Sequence, residues 1–117
     1  MPFSVKRIRD ERKRGDGRRI LVERLWPRGV SKQDAALDAW LKDVAPTTAL
    51  RKWFSHDPLR WDEFRRRYFA ELEARDEAAA AVAELLRLGR RGRVTLLFSS
   101  REERLNNAVA LKEHLER

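Results

Sequence analysis

Three observations in the amino-acid sequence predict an α/β fold, a small, largely parallel sheet of about three strands covered by about five helices. Three short apolar runs, Phe3–Ile8, Arg18–Trp26 and Arg93–Ser100, have the character of strands. The second and third are separated by a long stretch of helical periodicity, the connection that a parallel crossover needs. At 117 residues, 42% of them hydrophobic and none of them cysteine, the chain can close one core without disulfides. It reads as one domain over residues 1–117.

Phe3 to Ile8 alternates apolar and basic residues as a half-exposed strand does, and Arg18 to Trp26 contains the denser run Ile20-Leu21-Val22. Between them, Arg9 to Gly17 is charged and too short for a helical crossover. A hairpin is the simplest connection, with an extended loop between parallel strands as the alternative. Ser31, with Asp34 three residues on, reads as the N-cap of a short helix toward Leu37–Leu41 that Ala45-Pro46 stops. Thr47 caps the next helix, where Leu50, Trp53 and Phe54 have the spacing of a buried stripe. Asp57-Pro58 starts the following one: the carboxylate accepts orphan amides, and proline at the first helical position gives up no needed donor. Trp61, Phe64, Tyr68 and Leu72 share one face of that helix. Asp76 opens an alanine-rich helix to Leu88, with Gly89 as the expected C-cap. Arg93 to Ser100, carrying Val94, Leu96, Leu97 and Phe98, is the third and most buried strand. Ser100-Arg101-Glu102-Glu103 has capping-box spacing, so the last helix is expected to start at once and run to the C-terminus.

The formal net charge is +8 and the sequence pI about 10.7. The cations are mostly arginine, which favours planar, bidentate contacts to phosphate or carboxylate. A nucleic-acid partner stays open on this ground; the plainer reading is compositional bias, with arginines paired to acids on helix surfaces. The absence of cysteine removes thiol catalysis, thiolate metal sites and a disulfide framework together, and is compatible with a reducing cytoplasm. The N-terminus lacks the apolar stretch of a secretory signal, and no run approaches the roughly 20 apolar residues of a membrane span. A cytoplasmic, soluble protein with no membrane partner is expected. Two histidines far apart and no clustered carboxylates support no metal site. Gly15-Asp16-Gly17 is too sparse for a phosphate loop and no dinucleotide fingerprint occurs, so no cofactor is expected.

The most informative stretch is Leu21-Val22-Glu23-Arg24-Leu25-Trp26-Pro27-Arg28-Gly29, a strand that runs into a Trp-Pro turn flanked by arginines. With parallel strands, this turn and Ser99-Ser100-Arg101 both lie at carboxyl ends, where open α/β sheets bind ligands. Arg24 and Arg28 can present two guanidinium groups to one anion; the structural alternative is an ion pair with Glu23, Asp38 or Asp57. Trp26 stacks on a ligand or belongs to the core. Ser99 and Arg101 adjoin the expected helix N-terminus, where free amides attract anions, while Ser100 is better explained as its cap. Asn106 and Asn107 are poor helix formers a turn into that helix, and ask for a hydrogen-bonding reason. His56, beside Asp57, is the one candidate general acid or base, against the plainer reading of a helix-end residue. His114 complements the dipole of the last helix. No signature specifies a reaction.

The segments Asp16-Gly17, Leu21 to Gly29, Leu37-Asp38-Ala39-Trp40, Leu50 to Phe54, His56-Asp57-Pro58 and Asn106-Asn107-Ala108 resemble the YeaO-like family of small bacterial proteins, a domain of unknown function in family 488 of that class. The resemblance spans nearly the whole chain. It implies an α/β architecture and a cytoplasmic bacterial setting, and brings no established activity. Against the family pattern, Arg9 and Arg19 stand where tyrosine is common and Leu105 where histidine is often found. Larger relatives can carry a Cys-His-Arg group after the corresponding strand; here the region reads Arg104-Leu105-Asn106-Asn107, which implies binding, or catalysis that uses no thiol.

The leading expectation is therefore a small anionic ligand, phosphorylated or carboxylated, held at the ends of the second and third strands. The alternative is nucleic-acid association through Arg65 to Arg67, Lys13-Arg14 and Arg90-Arg91. A third reading, a protein that only docks onto others, calls for an exposed apolar patch at Trp40, Trp53 or Trp61.

Overall fold

The computed structural model describes residues 2–117. Among these the strands are β1 (Phe3–Arg7), β2 (Arg18–Leu21), β3 (Ala39–Trp40) and β4 (Val94–Phe98), and the α-helices are α1 (Lys32–Ala35), α2 (Thr48–Phe54), α3 (Trp61–Ala74), α4 (Asp76–Arg91) and α5 (Asn107–Leu115). The sheet is parallel throughout, in the order β1-β4-β2-β3. All five residues of β4 are buried, four of them apolar and the fifth Thr95, as expected of a strand covered on both faces. Its alternation divides the core. Leu96 and Phe98 join Ile20 and Val22 beneath α2 to α5, while Leu97 joins Leu21, Ile8 and Ala35 on the other face.

The sheet corrects the hairpin expectation. β1 and β2 do not pair; β4 lies between them, with Phe3 and Arg18 both opposite Val94. The strand richest in apolar residues thereby has a neighbour on each edge, which a hairpin would deny it. Residues 8–17 form the extended alternative, with a 3-10 turn at Arg14–Asp16 and Gly17 at φ 63°. A Cβ on Gly17 would lie 2.2 Å from the Arg93 carbonyl oxygen, so only glycine fits. An ion cluster anchors the loop: Asp16 accepts from Arg19 Nη1 at 2.7 Å and from Lys6 Nζ at 3.0 Å. The Asp16 carbonyl also accepts from the Thr95 hydroxyl at 2.7 Å.

The helix expected toward Leu37–Leu41 ends early. Ser31 caps it as expected, accepting from the Asp34 amide at 3.0 Å, but Ala36 is left-handed at φ 50°. Ala39 and Trp40 instead pair with Ile20 and Leu21 as a fourth strand. Asp38 holds them there, its amide donating to the Arg19 carbonyl and its carboxylate accepting the Arg19 amide, both at 2.8 Å.

Thr47 and Asp57 cap as expected, accepting from the Leu50 and Leu59 amides; a 3-10 turn at Pro58–Arg60 precedes α3. Gly89 is not the C-cap of α4, which continues to Arg91 with Gly92 beyond it. Gly89 serves packing instead: a Cβ there would stand 2.7 Å from the Phe3 ring. The last helix does not start after Ser100. Residues 99–106 are irregular, and Asn106 is the N-cap of α5, accepting from the Val109 amide at 3.0 Å while its Nδ2 donates to the Glu102 carbonyl at 2.8 Å. The Ser100 hydroxyl is used within the loop, donating to the same carbonyl. Among the described residues no helix is long and apolar enough to cross a membrane.

Candidate functional site

Beyond the carboxyl ends of β2 and β4 lies a cavity of about 470 Å³. The chain leaving β2 builds one wall, Glu23 to Pro27; α2 and the turn after it build another, with Thr48, Arg51, Lys52, Ser55 and His56; Ser99, Ser100 and Asn107 complete it. Parallel topology explains the position, since both loops emerge at the same edge of the sheet.

Arg24 is the best-positioned cation. Its Nη2 and Nε donate to the carbonyls of Ala45 and Pro46 at 3.2 and 3.4 Å. Its side chain makes no ion pair with any described carboxylate, in contrast to the arginines of α3. Arg51 and Lys52, both exposed, add two further cations to the lining. One acid, Glu23, lines the same space. Both of its oxygens are occupied by Ser99, which donates its hydroxyl at 2.6 Å and its amide at 3.0 Å. The lining therefore carries an excess of positive charge.

Beneath the site, Tyr68 is fully buried and donates its hydroxyl to the Val44 carbonyl. Burial pushes its phenol far up, so it stays neutral. Asn107, the first residue of α5, donates its Nδ2 to the Val22 carbonyl at 2.8 Å, closing the end of β2.

Ser55 and His56 occupy the left-handed region in succession, at φ 47° and 55°, a conformation that costs a non-glycine residue about 1–2 kcal/mol. It ends α2 abruptly and brings both residues to the cavity wall. His56 Nδ1 lies 3.2 Å from the Leu105 carbonyl oxygen. A carbonyl can only accept, so Nδ1 is the donor in this contact. Asp57 does not form a dyad with it: its carboxylate caps Leu59 and lies 3.7 Å from Arg60.

Of the residues singled out in the sequence, Arg24, Trp26, Ser99, Asn107 and His56 come together around this cavity. Arg28, Arg101 and Asn106 do not line it. Arg28 and Arg101 are exposed, and the Arg28 carbonyl accepts from Arg9 Nη2 at 2.6 Å. Asn106 is buried and committed to its cap. The amides of Arg101 to Glu103 are not a helix N-terminus, because α5 begins six residues after Arg101. Trp26 has a structural share as well: its Nε1 donates to the Val30 carbonyl at 2.7 Å, and its ring meets Trp40 edge-on at 5.4 Å. No described ion pair joins Arg24 or Arg28 to Glu23, Asp38 or Asp57.

Arg51 and Lys52 were not legible as site residues. They follow Leu50 on a short amphipathic helix and look like its solvated face. Nor was the Glu23–Ser99 clasp, which needs the crossover to bring its partners together.

The other cationic stretches differ in kind. Arg65 pairs with Asp62 and Glu113, and Arg66 and Arg67 share Glu63. Those two guanidinium hydrogen bonds, Arg66 first, hold the Glu63 carboxyl down at about 2. Trp53 is half-buried, with Arg67 4.3 Å and Arg60 5.0 Å from its ring centre. Trp61 packs against Phe54 and Phe64.

Comparison with known proteins adds a family. A family model described as the inactive DUF488-N3 subclade matches residues 2–117. The chain is 38% identical over 115 residues to the uncharacterized protein YeaO of Escherichia coli, covering 98% of this chain and 97% of that one. It is 40% identical over 111 residues to the uncharacterized protein Rv3073c of Mycobacterium tuberculosis, covering 95% and 91%. No solved structure matches the chain.

Proposed function

The chain belongs to the inactive DUF488-N3 subclade, and from that membership we propose that it acts by binding a small anion in the cavity at the ends of β2 and β4 rather than by turning it over. The observation that carries this reading is Arg24, a half-buried guanidinium aimed by two backbone carbonyls and left without a carboxylate partner among the described residues. A structural arginine at such a depth normally has one; a ligand-binding arginine keeps its charge for the ligand. Arg51 and Lys52 reinforce it, and the one lining acid is already engaged by Ser99. The family's description as inactive, the missing cysteine and an Asp57 turned to capping all favour binding without a covalent step.

The test is thermal unfolding in phosphate or sulfate against chloride at matched ionic strength. A ligand specific for the native state at ten times its Kd stabilises by about 1.4 kcal/mol, several degrees in Tm for a chain of this size. Arg24→Ala should abolish the difference. An equal response in the variant would refute the site. Nucleic-acid association takes second place because, of its proposed contacts, Arg65 to Arg67 are paired with acids of α3 and α5 and Lys13 lies 3.8 Å from Glu11, which leaves Arg14, Arg90 and Arg91 without an ion pair among the described residues.

A further inference from the structure

The cavity is too large and too apolar for a bare inorganic ion. Its volume of about 470 Å³ falls within the roughly 300–1,000 Å³ of sites that enclose small organic ligands. The cations occupy only part of the lining. Leu25, Trp26 and Pro27 follow Arg24 along one wall, and Ala45, Pro46, Phe54 and Phe64 add further apolar lining. Leu25 is 67% exposed, and an exposed leucine on a cavity wall is surface that a ligand can cover. The indole of Trp26 is half-buried, its N–H satisfied by the Val30 carbonyl and part of its ring packed against Trp40 and the Leu21–Leu97 side of the core. Its remaining surface offers stacking rather than hydrogen bonding.

The charge of the lining narrows the head group. Three cations, Arg24, Arg51 and Lys52, face one carboxylate, Glu23, so a ligand with two negative charges balances the site and one with a single charge does not. A phosphate monoester carries about −1.5 to −2 at neutral pH and accepts the several donors that arginine and lysine present. We propose that the ligand is an aromatic phosphate monoester, its phosphate held at Arg24, Arg51 and Lys52 and its ring laid on the Leu25-Trp26-Pro27 wall. This rests on the anion-binding reading and adds the body and the charge state of the ligand to it.

Titration calorimetry with four probes separates the two readings. Phenyl phosphate should bind at least about tenfold tighter than inorganic phosphate, because it buries the ring as well. It should also bind tighter than benzoate, which offers one charge, and phenol should give no measurable heat. Arg24→Ala should weaken both phosphates. Leu25→Ser, at an exposed position that leaves the core intact, should cut the advantage of phenyl phosphate over inorganic phosphate by about threefold or more; Trp26→Leu should cut it further. Should Trp26→Leu fail to fold, Leu25→Ser still decides the matter. Inorganic phosphate binding that depends on Arg24, with phenyl phosphate no tighter, would overturn this inference and leave the anion site standing. Benzoate binding as tightly as phenyl phosphate would also overturn it. Failure of every probe to bind the natural chain would overturn both.

Discussion

Replacing Asp16 with asparagine removes the charge at the centre of the cluster it forms with Lys6 and Arg19. Burial pushes this carboxyl up, but the Lys13 amide, the Lys6 ammonium and the Arg19 guanidinium outweigh it and hold the group at about 2, against an ordinary 3.8. At about 1.4 kcal/mol for each pH unit between those values, the fold favours the carboxylate by roughly 2.5 kcal/mol. Little of this is screened, since the side chains of Asp16 and Arg19 are 10% and 0% exposed. Arg19 gives a second measure. Its Nη1 donates to Asp16, while Nε and Nη2 turn to the Ala35 carbonyl, and removing one partner of a buried pair costs about 3–5 kcal/mol. Asp16→Asn should therefore cost about 3 kcal/mol in urea unfolding at pH 7. The pH dependence has a definite sign. A folded carboxyl held below its unfolded value stays ionised while the unfolded chain takes up a proton, so its contribution is complete above about pH 4 and is lost as pH falls toward about 2. The variant should lack that part of the slope. A loss under about 1 kcal/mol at pH 7, with the slope between pH 4 and pH 2 unchanged, would mean that the Asp16 charge contributes little to the fold.

Three further outcomes are expected. Gly17→Ala should cost about 3 kcal/mol, because its Cβ would meet the Arg93 backbone at 2.2 Å, whereas Gly15→Ala, with nothing within 4 Å, should change little; equal melting curves would show that the loop yields. Asn106→Ala should cost about 1–2 kcal/mol by chemical denaturation and Ser100→Ala distinctly less, and the reverse order would put the start of α5 in the wrong place. Oligonucleotide binding, followed by fluorescence anisotropy across salt, should vanish near about 150 mM salt without sequence preference; sub-micromolar affinity there would promote the nucleic-acid reading.

What could be read from the chain followed from patterns that tertiary structure does not override. Val94 to Phe98 is apolar but for Thr95, so its central place was visible, and Thr47 and Asp57 have the chemistry of caps wherever they fall. β3 was invisible because two residues carry no periodicity and its existence depends on Asp38 bonding along the edge of β2. The start of α5 was misplaced because Ser100 and Asn106 are both good caps, and only the loop between them decides which amides are free. Arg19 looked like any polar residue on a strand. Its burial needs Asp16, three residues earlier in a loop whose course the local sequence leaves open. In the site, Arg24 and Trp26 were legible from an unusual turn, whereas Arg51 and Lys52 join them only through the packing of α2 against α3.

The placement of β4 also orders events in time. β1 and β2 have no hydrogen bonds to each other and share a single partner that the ribosome delivers more than 70 residues after β2 ends. The Ser4–Thr95 side-chain bond spans 91 residues. Closing loops of that length is entropically costly and slow, so helices can form as they emerge while both early strands wait with open edges. Only when the late strand joins them can the cavity form, since its walls leave both β2 and β4. A nascent chain halted before residue 94 has the arginine turn but no pocket. Its unpaired strand edges make that interval the time of greatest exposure to aggregation.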